Sequence, residues 1–448
     1  MTGLPLLRHF ELDSVFAYQG GAAIPVKQFV HHALSLAREL PDKAYVLNVC
    51  ADRYQFCVAF AAALLRSQVT LLPPNQTPDM LERLAAVYPD IYRLVDSAAP
   101  SDPLRCPMPT IAFPSLAPFG GAAVAIPLIP ASQAAALMFT SGSTGDPMPH
   151  PKTWGTLIES GAAEASRLGL AGGGAAVLGT VPAQHMYGLE STVMMPLQAG
   201  LAIHGGRPFY PADVCDALQA LPRPRALVTT PVHLRALVQE VDAVPALDII
   251  VCATAPLTPQ LAVEAEARFN APLYEIYGCT EAGQVATRRT VDTPEWQALP
   301  GIRLRQDERG TWVQGGHVRD EILLNDMIEM RGRDHFLLHG RNADLVNIAG
   351  KRTSLAHLNY HLNSIEGVRD GVFVVPDNAG ESVPRLMAFV VAPGAAREAL
   401  LDALRNRIDP AFMPRPLTIV AALPRNDTGK LPRAALQALA AETTAREE

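Results

Sequence analysis

Four short stretches of the chain hold residue types that could do chemistry together. In the first, Met138 and Phe139 end an apolar run, and Thr140, Ser141, Gly142, Ser143, Thr144 and Gly145 follow without interruption. Hydroxyls and permissive glycine backbone in one loop can turn several donors onto a single anion, as phosphate-binding loops do. Asp146 and Pro147 come next and the nearest lysine is Lys152, so the Gly-Lys-Ser/Thr ending of the common nucleotide-hydrolase loop is missing. The second stretch, PLYEIYGCTEAG at 272–283, is strand-like up to Tyr277 and Gly278, then presents Thr280 and Glu281 on a turn. A tyrosine beside a glycine offers a flat face to a base. A lone glutamate near phosphate suits Mg²⁺, which completes its shell with phosphate oxygens and water. The third pairs Asp326 with Arg341, fifteen positions later. A carboxylate can accept both hydroxyls of a ribose, and an arginine can donate to the same sugar or to a phosphate. The fourth, LPRNDTGKLPR at 423–433, uses Asn426, Asp427 and Gly429 to set a tight loop with Lys430 at its tip. A lysine so displayed can bring positive charge to a developing phosphoryl transition state. Taken singly, the first stretch is as readily an ordinary turn, and the other three read more readily as ordinary turns or solvated polar residues; they make chemical sense as a nucleotide site only together.

The elements that must position these loops alternate. Ala44–Val49 and Val69–Leu72 read as buried strands, with Phe56–Leu65 and Asp79–Val87 as helices beside them. Residues 98–132 are rich in Pro, Ala and Gly and read as a long connection or small-strand region. Further strands are expected at Ala175–Val181, Ala226–Thr230 and Asp248–Cys252, and helices at Val193–Leu197 and Leu261–Phe269. Strands interleaved with helices predict layered α/β architecture on a largely parallel sheet. After Gly340 the composition changes: 341–350 is polar and hinge-like. Beyond it lie strands at Val372–Val375 and Leu386–Val391, and helices near Arg397–Ile408 and Ala434–Ala441. The expected division is a large N-terminal α/β domain, 1–340, and a small mobile C-terminal α+β domain, 341–448, which carries Lys430.

Composition narrows the class. The 448 residues are 49% hydrophobic and 18% charged with a net charge of −7, mildly acidic where a nucleic-acid binder is usually basic. The first residues lack the charged start and long apolar core of a signal peptide, and Phe56–Leu65, the longest apolar run, is half a membrane span. Cysteines 50, 57, 106, 215, 252 and 279 are scattered without a CxxC pair, which predicts reduced, mostly buried thiols and a cytoplasmic protein.

The four stretches, in this order, resemble the adenylate-forming superfamily of acyl-CoA synthetases, peptide-synthetase adenylation domains and luciferases. TSGSTGDP at 140–147 resembles its phosphate loop and YGCTEAG at 277–283 its Tyr-Gly-x-Thr-Glu motif. Asp326 with GRNADLVNIAGKR at 340–352 resembles its ribose-binding aspartate and hinge segment, and NDTGKLPR at 426–433 its catalytic-lysine motif. The resemblance implies ATP and Mg²⁺ as cofactors. It implies that Thr140, Ser141, Gly142, Ser143, Thr144 and Gly145 cradle the β- and γ-phosphates, with Glu281 holding Mg²⁺. Tyr277 and Gly278 would lie against adenine, Thr280 would touch the α-phosphate, and Asp326 and Arg341 would bind ribose. Lys430 would bridge the carboxylate and the α-phosphate. His185, in PAQHMYG at 182–188, matches a position bordering the acid pocket. In such enzymes the C-terminal domain rotates between half-reactions, which implies a pivot within 341–344 and Gly350 facing a thiol tunnel.

The chain also departs from that pattern. A Lys-Gly pair usually follows the phosphate loop, whereas Met148, Pro149, His150 and Pro151 stand here before Lys152. The usual pivot position is Ala343, with Asp344 beside it. The segments around TSGSTGDP and PAQHMYGLE resemble stand-alone ligases of aryl-polyene and xanthomonadin-type pigment pathways. That implies an aromatic, hydroxybenzoate-like acid loaded onto an acyl carrier protein in trans. Pocket candidates His185, Met186, Leu189, Ala253, Thr254, Ala255 and Gly278 would fit an aryl ring or a short acyl chain. No carrier serine is apparent in the C-terminal segment, and Arg405, Arg407 and Arg415 could face an acidic carrier. Two alternatives stay open: a fatty acyl-CoA or acyl-carrier ligase, and a non-catalytic nucleotide-binding or scaffold protein on the same fold.

Overall fold

The computed structural model describes residues 3–9, 11–96, 106–121, 123–141, 147–241, 243–341, 345–348, 351–376, 386–426 and 429–447. Its spine is an eleven-stranded sheet. From one edge to the other its strands are Asp326–Met330, His335–Arg341, Trp296–Ala298, Gly283–Arg288, Leu273–Cys279, Ile249–Cys252, Arg225–Thr229, Ala176–Gly179, Ala202–His204, Val15–Gln19 and Ala22–Pro25. The run from Leu273–Cys279 to Val15–Gln19 is parallel, and the strands outside it pair antiparallel. Central strands such as Ile249–Cys252 are buried along their whole length, as parallel strands covered on both faces must be.

A second sheet of six strands carries the hydroxyl-rich loop. Its order is Pro147–Thr153, Ala134–Ser141, Val69–Leu72, Tyr45–Asn48, Ile91–Val95 and Thr110–Ala112, parallel except for Pro147–Thr153. Helix Arg53–Leu65 packs against strands of both sheets, which explains why it is apolar all round rather than amphipathic. Asp52 caps it by accepting from the Gln55 amide at 2.8 Å. The buried Arg53 donates to the carbonyls of Gly179 (2.9 Å) and Val181 (2.7 Å), tying this layer to the end of strand Ala176–Gly179.

Past the large sheet, Asp370–Val374, Met387–Val391 and Leu417–Ile419 form a separate three-stranded sheet. Helices Leu355–Asn363 and Arg397–Arg405 cover it, and Leu358, Leu362, Phe373, Leu400, Leu404 and Phe412 share a core distinct from those of the large lobe. The architecture is therefore mixed α/β, with a large N-terminal part and a smaller C-terminal part.

Most expected elements are present within a few residues of their expected bounds. Val193–Leu197 is helical as expected, with a π-helical turn over Glu190–Met194 leading into a short α-helix, Met195–Ala199. In the region expected to be a long connection or small-strand region, Thr110–Ala112 and Leu128–Pro130 are short strands. The expected pivot, Ala343 and Asp344, and Gly350 lie outside the described residues. Among the described residues no helix is long and apolar enough to cross a membrane.

Candidate active site

Three hairpins and one loop bring the four stretches together. The first hairpin pairs Ala134–Ser141 with Pro147–Thr153, so that Thr140 faces Met148 and Ser141 faces Pro147 at its open end. Gly142, Ser143, Thr144 and Gly145 connect the two strands and lie outside the described residues. Side chains at 148, 150 and 152 share one face of the returning strand. His150 Nε2 lies 2.9 Å from Thr140 Oγ1. Burial lowers the His150 pKa, and the Glu281 charge opposes that shift.

The second hairpin pairs Leu273–Cys279 with Gly283–Arg288 and holds Thr280 and Glu281 in its turn. The Tyr277 ring sits 5.7 Å from Trp296 and 5.8 Å from Phe336, centroid to centroid. Its hydroxyl donates to Asp326 Oδ2 at 2.8 Å. Asp326 opens the third hairpin, in which its direct partner is Arg341. Antiparallel register thus makes backbone neighbours of two residues fifteen apart. Tyr277 is 8% exposed, with its ring among apolar side chains and its hydroxyl on the polar rim.

Lys152 reaches the Glu281 turn from the first hairpin. Its ammonium donates to the Glu281 carbonyl at 2.6 Å, and the side chain is buried. Burial lowers the lysine's pKa, while Glu190, Cys279 and Glu281 pull it back up. Cys279, before Thr280, accepts from the Ala282 amide at 3.4 Å, and burial with the nearby Glu281 charge pushes its thiol up to about 12.

Behind the turn lies a buried polar cluster. Ser160 donates to Glu190 Oε1 at 2.6 Å, and the Gln284 side chain donates to Glu164 Oε2 (2.8 Å) and to Ser191 (3.0 Å). Burial pushes Glu190 up to about 7 and Glu164 up to about 8, against the hydrogen bonds they accept.

The remaining corner is His185. It caps the short helix Met186–Leu189 by accepting the Tyr187 amide at Nδ1, 3.3 Å away. The Tyr187 hydroxyl donates to the carbonyls of Thr229 (3.2 Å) and Val251 (3.0 Å), fixing that helix to the ends of two parallel strands. Burial, with a smaller push from the Lys430 charge, lowers the His185 pKa to about 3, so the ring is neutral with its proton on Nε2. Met186 and Leu189, close to it in sequence, are buried, as is Ala253, and Thr254 takes a left-handed backbone at φ +81°.

Lys430 arrives on a loop closed by its own backbone. The Asn426 amide donates to the Lys430 carbonyl (2.9 Å), Gly429 donates back to the Asn426 carbonyl (2.8 Å), and the Lys430 amide donates to Asn426 Oδ1 (2.9 Å). Arg425 grips Asp370 with two donors at 2.7 Å each and gives a third to the Gly429 carbonyl at 2.5 Å. Gly429 has φ +76°, and a Cβ there would stand 3.2 Å from Val232 Cγ2, so the loop sits flush on helix Pro231–Glu240.

The structure therefore brings Thr140 beside His150, Tyr277 beside Asp326, the backbone of Asp326 beside that of Arg341, and the Lys430 charge within range of His185. It gives Arg405 to Asp402 and Arg407 to the Ala403 carbonyl. Sequence reasoning missed His150, Glu190, Arg425 and Asp370. Period-two spacing back from Lys152 was the available signal for His150; nothing local marks the others. An open cleft of about 400 Å³ lined by His32, Tyr54 and Phe113 shares no residue with these motifs.

The chain resembles known proteins in sequence and in fold. The family model for AMP-binding enzymes matches residues 35–307. A 4-coumarate–CoA ligase from Rhodobacter capsulatus is 30% identical over 302 residues, 66% of this chain and 74% of that protein. In fold, the chain superposes on an o-succinylbenzoate CoA synthetase from Bacillus subtilis in complex with its acyl-adenylate at TM-score 0.80, with 17% identity over 98% of this chain and 99% of that one. An anthranilate CoA ligase in complex with anthranoyl-AMP gives TM-score 0.78 and 14% identity over 99% of both chains.

Proposed function

Because the chain belongs to the AMP-binding enzyme family, we propose that it activates an aromatic, hydroxybenzoate-like acid with ATP and passes the acyl group to the phosphopantetheine thiol of an acyl carrier protein. The observation that carries this reading is the docking of the Lys430 loop on helix Pro231–Glu240, which puts the Lys430 charge within range of His185. A carboxylate attacking the α-phosphorus meets an anion, so the site must cancel charge and hold the groups in line. A carboxylate oxygen forms the new bond to phosphorus while pyrophosphate leaves. A pantetheine sulfur then attacks the acyl carbon of the mixed anhydride, and AMP leaves.

Each residue has a task in this reading. Lys430 neutralises charge between the carboxylate and the α-phosphate, and Thr280 contacts that phosphate. The neutral His185 presents Nε2–H, a donor that can orient a carboxylate oxygen without adding charge. Thr140, Ser141, Gly142, Ser143, Thr144 and Gly145 hold the departing pyrophosphate. Tyr277, Gly278, Asp326 and Arg341 hold the nucleoside. Among the described residues no three His, Cys, Asp or Glu side chains gather as a metal site. The lone Glu281 carboxylate fits Mg²⁺, which takes most of its ligands from phosphate and water and would supply further charge neutralisation here. Residues 341–448 would act as a lid hinged at Ala343 or Asp344.

An aromatic acid is supported by relatives named for 4-coumarate and anthranilate, both aryl acids. Coenzyme A is the second reading for the acceptor, favoured by those relatives' names as CoA ligases. The test is acid-dependent pyrophosphate release over hydroxybenzoic, cinnamic and short fatty acids, followed by thioester formation with coenzyme A or holo carrier protein. Release with a benzoic-type acid and transfer to carrier protein supports the proposal. Release with fatty acids alone overturns the substrate, transfer to coenzyme A alone overturns the acceptor, and silence with every acid overturns the reaction.

A further inference from the structure

Lys152 is a buried cation that the proposed chemistry leaves without a task, and it stands four residues beyond the place where the family pattern has a lysine. It lies on the returning strand of the hairpin that carries the hydroxyl-rich loop, yet its ammonium donates across to the Glu281 carbonyl, 2.6 Å away on the second hairpin. Behind that turn sits Glu190, fully buried, held by Ser160 and approached by the Gln284 amide at 3.4 Å. Space for it exists because residue 283 is glycine: φ is +81°, and a Cβ there would lie 2.6 Å from Glu190 Oε1. The π-helical turn Glu190–Met194 begins at this carboxylate, the kind of local irregularity that re-aims a side chain at a functional site.

We infer that Lys152, backed by Glu190, is a positioning residue that clasps the phosphate-loop hairpin to the turn presenting Thr280 and Glu281. The clasp rests on the site reading above. Its chemistry is that of an outer-shell partner: Lys152 touches neither phosphate nor metal, and acts by fixing the backbone from which the Glu281 carboxylate projects. A methionine at 152 would match the length of the stem while leaving the Glu281 carbonyl without its donor and removing a positive charge that Glu190 feels.

The experiment is ATP binding by calorimetry, with Mg²⁺ and in EDTA, for the full chain and for Lys152→Met. The clasp predicts that the gain in ATP affinity conferred by Mg²⁺ falls by about tenfold or more, the scale of outer-shell changes at metal sites. Affinity in EDTA should stay within about twofold, since the nucleoside contacts are untouched. An unchanged Mg²⁺ gain in a folded Lys152→Met protein overturns the clasp. Should that variant not fold, Lys152→Arg and Glu190→Gln take its place. A raised Mg²⁺ midpoint in both supports the clasp, and wild-type midpoints in both overturn it. Because binding is read without turnover, failure to find an activated acid would sink the proposed reaction and leave this test standing.

Discussion

The hydroxyl of Tyr277 and the carboxylate of Asp326 are hydrogen-bonded at 2.8 Å, joining two motifs that lie 49 residues apart in the chain. The bond fixes the plane of the tyrosine ring and the direction of the carboxylate together. Tyr277→Phe removes the donor and keeps the ring. It should cost about 2 kcal/mol of stability, the net worth of a hydrogen bond to a charged group, and raise the KM for ATP more than that for the acid. Chemical denaturation and steady-state kinetics check both parts. Equal rises in the two KM values would remove Tyr277 from the nucleoside side of the site.

Arg425 and Asp370 hold the base of the Lys430 loop. Reversing the pair tests whether orientation or mere charge is needed. Arg425→Asp alone should lower the pyrophosphate-exchange rate by about tenfold or more through misplacement of Lys430. Thioester formation from supplied acyl-adenylate, which does not use the lysine, should change little. Combining it with Asp370→Arg should restore part of the loss, and the double-mutant cycle gives the coupling. No recovery in a folded double variant would mean that the pair does not set the loop.

His185 is neutral throughout the working range, because its pKa is lowered to about 3. The acid limb of the adenylation rate between pH 5.5 and 8 should therefore carry no step from this ring, by roughly the two-unit margin that full deprotonation requires. His185→Gln, which can still donate, should keep more activity than His185→Ala. If both variants lose activity alike, the donor role is wrong.

Glu164 makes stability depend on pH in the unusual direction. Its folded value is raised from 4.5 to about 8, so between those values the folded protein keeps a proton that the unfolded chain has released. Stability is highest below the lower value and falls as pH rises towards the upper one, by at most about 1.4 kcal/mol per pH unit for one proton. Glu164→Gln should flatten this slope and be more stable than the wild type at pH 8. Urea unfolding at pH 5 and pH 8 measures it. A variant equally destabilised at both would show Glu164 ionised in the native state.

The sequence carried the motifs because each is local: a run of hydroxyls, a strand end, a glycine turn. It carried the parallel core for the same reason, since Ile249–Cys252 is apolar at every position. What it could not carry is pairing at a distance. Nothing in the residues around Glu190 says that Ser160 and the Gln284 amide will meet it, because three separate elements converge there only after the sheets have packed. Lys152 is legible as a lysine near a loop, but its partner is a backbone carbonyl, which leaves no trace in residue type. The helix expected at Val193–Leu197 is present, but its π-helical start was not legible for a related reason. Periodicity marks apolar faces and is blind to the added residue of a π-turn.

Cys279 places a sulfur two residues from the glutamate assigned to the metal, beside the region where a mixed anhydride would form. Thiolates attack such anhydrides; thiols barely do. With its pKa pushed up to about 12, Cys279 keeps its proton at neutral pH, and iodoacetamide at pH 8 should leave it unmodified. If the proposed reaction holds, self-acylation would be suppressed by environment rather than by the absence of a nucleophile, and the activated acyl group would be left for an incoming thiol.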